Sequence, residues 1–180
     1  MARGRGLLAS ARQVASPNSD RRPAGTRVTL LVLHSISLPA GVYGGDAIER
    51  LFTNRLEAGA HPDFGALAGL RVSSHFLIRR DGELVQFVAL HRRAWHAGAS
   101  RWRGRERCND FSVGVELEGT EHTAFDAAQY ACLARLVRAL RSQLPLRALA
   151  AHRDVAPGRK SDPGACFDWA RLLAALARPS

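Results

Sequence analysis

The chain has 180 residues, 46% of them hydrophobic and 23% charged, and a formal net charge of +10. That length fits one domain around one core, and no apolar run approaches the roughly 18 residues that cross a bilayer, so no membrane insertion is expected. Cys108, Cys132 and Cys166 lack CxxC spacing, which argues against both a disulfide framework and a cysteine zinc knuckle.

Residues 1–25 are basic, with only "LLASA" as an apolar fragment, shorter than the ~7 to 15 residues of a secretory core. They are expected to lie over the domain surface or to be mobile, and a reducing cytoplasm fits best. "RVTLLVLHS", residues 27–35, predicts a strand buried on both faces with His34 at its end. Asp46 and Glu49 in "GGDAIERLF" predict a capping box opening a short helix, and "EAGAHPDFGALAG" then reads as loop. "RVSSHFLIRRDGELVQFVAL" predicts strands near 72–79 and 84–89 around a two-residue Asp81-Gly82 turn.

In "FSVGVELEG", Phe111, Val113, Val115 and Leu117 alternate with Ser112, Gly114, Glu116 and Glu118. Period two places Glu116 on a face whose upstream neighbours are only serine and glycine, leaving room for a ligand. Residues 124–143 predict a helix with Leu133, Leu136, Val137, Leu140 and Leu144 on one side and Thr123 as N-cap. "LRALAAH" predicts a short strand ending at His152, "AHRDVAPGRKSDPG" a loop too rich in Pro and Gly for a helix, and "FDWARLLAALAR" a closing helix with Trp169, Leu172, Leu173 and Leu176 inward. The order implies an α/β (mixed α+β) domain, residues 26–180, with one central mixed sheet flanked by helices.

A surplus of +10 steers anions toward the surface. Nucleic acid is not the expected partner, because the arginines are scattered, aromatics are 7%, and no helix-turn-helix, RRM or zinc-finger pattern appears. An anionic small substrate, or merely an arginine-rich proteome, accounts for the charge equally well.

His34 and His152 each close a predicted strand, and Asp162 follows on the loop leaving the second. Two imidazoles and a carboxylate with one position open to water form the donor pattern of a catalytic zinc site. Hydrolysis there also needs a base and a charge stabiliser: Glu116 could move a proton, and Lys160 could face an oxyanion. Taken residue by residue, the bland alternatives stay open: hydrogen-bonded histidines, a solvated strand glutamate and one more loop cation.

The stretches "LVLHSISLP", "FGALAGLRVSSHFLIRRDGELVQFV", "RAWHAG", "GRERCNDFSVGVELEG" and "HRDVAPGRKSDPG" together resemble the AmpD family of zinc-dependent N-acetylmuramoyl-L-alanine amidases, from about residue 7 to residue 173. The resemblance implies a cytoplasmic enzyme of cell-wall recycling that cleaves the amide between the lactyl group of 1,6-anhydro-N-acetylmuramic acid and L-alanine of the stem peptide. It implies a Zn2+ cofactor on His34, His152 and Asp162, Glu116 as acid/base, Lys160 as transition-state stabiliser, and an anionic muropeptide as partner of a monomer. Arg71, Trp95 and Arg107 match substrate-contact positions, with chemistry suited to a peptide carboxylate and a sugar ring. His75 could orient a ligand from behind, and His96 is expected to line the cleft.

The chain departs from the family pattern at Ser35, which replaces an asparagine and has fewer donors, and at Phe76, where a small residue or cysteine is usual. Arg153 beside the ligand His152 is a further local difference. Three other functions remain to be separated: an exported peptidoglycan amidase, a muropeptide-binding module without catalysis, and a nucleic-acid binder with steep salt dependence.

Overall fold

Along Leu30–Ile36, alternate residues face opposite sides of a sheet, and both sides are apolar: Leu31 and Leu33 turn one way, Leu30 and Val32 the other, all buried. Such a run belongs in the middle of a sheet, and the computed structural model, which describes residues 6–178, has it there. The strands are β1 Arg12–Gln13, β2 Ser19–Arg21, β3 Leu30–Ile36, β4 Phe76–Ile78, β5 Leu84–Gln86, β6 Arg92–Ala94, β7 Arg101–Trp102, β8 Arg105–Glu106, β9 Ser112–Glu118 and β10 Ala148–Ala151. The helices are α1 Ala47–Phe52, α2 Ala127–Arg141, α3 His152–Val155 and α4 Trp169–Ala177. Six strands make a mixed sheet in the order β1-β5-β4-β9-β3-β10, with only β4 and β5 antiparallel. The expected fold class, a mixed sheet flanked by helices, is the one observed.

One face of the sheet is closed by α2 and α4. Leu133, Leu136, Val137 and Leu140 pack with Leu31, Leu33, Phe76, Val113 and Val115, each buried aliphatic side chain contributing about 1.5–3 kcal/mol of transfer free energy. The other face carries two smaller apolar clusters, one around Leu51, Phe52 and Leu77, the other around Leu30, Val32 and Val155. His34 of β3 and Ser112, Glu116 and Glu118 of β9 turn to this second face.

Several local expectations are corrected. Of the segment 1–25, residues 1–5 lie outside the described residues, but Arg12–Gln13 and Ser19–Arg21 are strands of the fold, paired with β5 and β6. The hairpin turn has three residues, Arg80 to Gly82: the Arg79 N–H bonds to Glu83 O at 2.9 Å and the Gly82 N–H to Arg79 O at 2.9 Å, with Gly82 at φ +87°, a conformation that suits glycine.

Helix α2 is capped by Asp126, not Thr123, because the Gln129 side chain returns to the Asp126 N–H at 3.0 Å. No such box opens α1: the Glu49 carboxylate is taken by Arg12 and Arg79, and that of Asp46 by Arg50. In α4, Leu172 is buried while Leu173 is exposed, since a one-residue step turns about 100° away from the packed stripe.

Candidate metal centre

The chain brings His152 to His34 through strand register. β10 runs parallel to β3 and ends with Ala151 opposite Leu33, so the next residue on each strand stands side by side. At that point the chain tightens into α3, where the Ala151 N–H donates to Asp154 Oδ2 at 2.8 Å. His152 therefore opens a helical turn, where a non-helical loop was expected. Further on, Asp162 folds back and its carbonyl accepts the Arg153 N–H at 3.1 Å.

Three donor atoms converge there. His34 Nδ1 lies 3.0 Å from His152 Nδ1, and each lies 3.1 Å from Asp162 Oδ2. The outer nitrogen of His152 lies 3.3 Å from the carbonyl of Ala97, which can only accept, so the ring proton sits on Nε2 and Nδ1 presents a lone pair. The outer nitrogen of His34 meets His96 Nδ1 at 2.9 Å. A single proton cannot satisfy all three edges of this triangle, whereas one cation bound to all three atoms can. Tetrahedral zinc with bonds of about 2.0–2.2 Å has donor edges of roughly 3.3–3.6 Å, so a slight opening of the 3.0–3.1 Å triangle would seat zinc.

Electrostatics agree with such a centre. Burial pulls the His34 pKa down to about 4, with the facing Asp162 carboxylate opposing it, so the ring is neutral. Burial alone would raise Asp162, but the two imidazoles that face its carboxylate hold it well below the usual carboxylate range. Glu116 behaves oppositely: burial, reinforced by the nearby Asp162 charge, pushes its pKa well up, with only Lys160 opposing.

A cleft of about 470 Å³ opens over the centre. His34, His152, Asp162, Glu116 and Lys160 all line it, together with Ser35, Trp95 and His96. Two expected contacts stand elsewhere: Arg71 is exposed next to the cleft residue Val72, and Arg107 lines a separate hollow with Ala99 and Arg159. Arg107 also has its Nε 3.5 Å from Asp110.

His75 lies behind the cleft, fully buried, its Nδ1 accepting the Gly114 N–H at 3.1 Å. The room expected beside Glu116 at Gly114 is already filled, since a Cβ there would lie 2.5 Å from His96 Cγ. Ser73, Glu121 and Arg159 also line the cleft and were not singled out in the sequence. Each is one polar residue in an irregular segment, without a spacing pattern to mark it.

The chain matches the family model described as N-acetylmuramoyl-L-alanine amidase over residues 24–165. It is 53% identical to the 1,6-anhydro-N-acetylmuramyl-L-alanine amidase AmpD of Escherichia coli K12, over 96% of each chain. It is 54% identical to AmpD of Citrobacter freundii, over 97% of this chain and 94% of the relative. A crystal structure of a selenomethionine AmpD derivative superposes with a TM-score of 0.92 at 52% identity, covering 95% of this chain and 97% of that one. Likeness of this extent, in sequence and in fold alike, carries one conclusion: the chain belongs to the AmpD group of the N-acetylmuramoyl-L-alanine amidase family.

Proposed function

We propose that the protein uses Zn2+ held by His34, His152 and Asp162 to hydrolyse the amide between the lactyl group of 1,6-anhydro-N-acetylmuramic acid and L-alanine of the stem peptide, in cytoplasmic recycling of muropeptides. The convergence of two imidazole lone pairs and one carboxylate oxygen on a single point in an open cleft carries this reading. The names of the relatives supply the substrate class. So does the complex of the E. coli amidase AmiD with an anhydro-N-acetylmuramic acid peptide, 26% identical with a TM-score of 0.62 over 86% of this chain and 60% of that one.

When bound, zinc supplies Lewis acidity that acidifies water and polarises a carbonyl oxygen. Glu116, a stronger base as a carboxylate because burial raises its pKa, takes a proton from water and hands it to the departing amine of L-alanine. Lys160 places its ammonium beside the same cleft and offsets the charge gathering on the scissile carbonyl oxygen. Trp95 offers an aromatic face to the sugar, and Ser35 a single hydroxyl where the family's asparagine would offer an amide.

The positive surplus draws the anionic muropeptide in, and the protein acts as a monomer. Among the described residues, no helix is long and apolar enough to cross a membrane. The test is mass-spectrometric detection of free stem peptide from anhydro-muropeptide, with native, chelator-treated and zinc-restored protein. Release that stops with chelator and returns with zinc is expected. Substrate binding without release in any sample would replace catalysis with recognition.

A further inference from the structure

Resting on the zinc reading above, we propose that Asn109 is a positioning residue for the metal centre, acting through the two-residue segment His96–Ala97. This segment holds the outer nitrogens of both ligand imidazoles: His96 Nδ1 lies 2.9 Å from His34 Nε2, and Ala97 O lies 3.3 Å from His152 Nε2. Consecutive residues thus fix the tautomer and tilt of both rings. A shift of the segment moves both donors at once.

The segment follows β6 and belongs to no strand or helix, so the sheet ladder does not hold it. Asn109 does. Its Oδ1 accepts the N–H of His96 at 3.2 Å and the N–H of Ala97 at 2.8 Å. Ala97 is fully buried, and a buried N–H needs such an acceptor. Asn109 is fixed in turn from behind, because its own carbonyl accepts Arg22 Nη1 at 3.0 Å.

Two further contacts complete the clasp. Arg159 Nη2 donates to Ala97 O at 2.6 Å and to Ala99 O at 2.7 Å, steadying the carbonyl that faces His152. The His96 ring sits over Gly114 with Nε2 3.1 Å from Ser112 Oγ. With a proton on each Nε2, the chain runs from His34 to His96 to Ser112, and His34 Nδ1 is left free to bind metal. Losing an outer partner of this kind typically costs about 10- to 100-fold in metal affinity. Asn109 is not among the described residues lining the cleft, so its hold on the metal is separable from substrate contact.

The experiment compares full-length wild type, Asn109→Leu and Asn109→Asp. Zinc affinity is read by competition with a chromophoric chelator, and donor geometry by the visible spectrum of the Co2+-substituted protein. Leucine keeps the bulk and removes the acceptor; aspartate keeps the acceptor. Asn109→Leu is expected to weaken zinc binding by about 10- to 100-fold and to change the cobalt spectrum, with Asn109→Asp close to wild type.

Wild-type affinity and spectrum in folded Asn109→Leu would overturn the assignment. A wild type that binds no zinc would overturn the zinc reading instead. If Asn109→Leu does not fold, Arg159→Met probes the same segment from its carbonyl side: several-fold weaker zinc binding is expected, and unchanged binding overturns the proposal.

Discussion

His34 and Glu116 stand at the same rung of the parallel pair β3 and β9. Neighbouring strands lie about 4.8 Å apart, so one sheet face presents an imidazole and a carboxylate side by side. The two have separable jobs. Glu116→Gln is expected to retain zinc, measured by elemental analysis, and to lose turnover by about 10²- to 10⁴-fold. Turnover at the wild-type rate would remove Glu116 from the reaction.

Removal of Asp162 tests the other half of the site. With two nitrogens left, Asp162→Ala should bind zinc weakly, so the ligand-linked stabilisation disappears. In the wild type, zinc at a hundred times its dissociation constant adds about 2.7 kcal/mol. Melting curves with and without zinc should therefore diverge for the wild type and coincide for Asp162→Ala.

Buried neutral histidines give a pH signature. Burial, aided by the Arg22 charge, lowers the His75 pKa from 6.5 to about 3. The folded state therefore binds fewer protons than the unfolded chain between those values. Stability is fully present above pH 6.5 and falls as the pH drops toward about 3, the direction required by proton linkage. His75→Gln should lose less stability than the wild type between pH 7 and pH 4, measured by urea titration of the metal-free proteins. Equal losses would locate the acid sensitivity elsewhere.

A second buried group ties the end of β9 to α1 and to the turn before it. Arg79 donates to Glu118 at 3.1 Å and to Glu49 at 2.7 Å, and Glu118 also accepts the Gly44 N–H at 2.8 Å. Arg79→Met leaves the Glu118 charge buried without its counter-ion, at an expected cost of about 3–5 kcal/mol. Adding Glu118→Gln should recover part of that loss in denaturant titrations. No recovery would mean that the arginine acts by packing alone.

Much of the site was legible because it sits on regular strands. Alternation along Ser112–Glu118 placed Glu116 on the correct face, and the apolar run before His34 marked a central strand. The short strands β1 and β2 were not legible, since two or three residues carry no periodicity. The helical turn opened by His152 was hidden by the Pro and Gly that follow it. The Asp46–Glu49 box failed because distant arginines claimed the Glu49 carboxylate. Asn109 left no trace at all: its partners are backbone N–H groups that only the folded chain brings within reach.

The parallel arrangement of β9, β3 and β10 also decides when the three donor side chains can meet. His34 and His152 are 118 residues apart in sequence, and no local turn joins their strands. Such pairings close long loops and form slowly, while the β4–β5 hairpin can close early. The donor triangle exists only after β10 has docked in register, because a one-residue slip would turn the neighbouring side chains to the opposite face. On the proposed zinc reading, the full three-donor site is therefore expected to form late, and tight metal binding would report completion of the sheet.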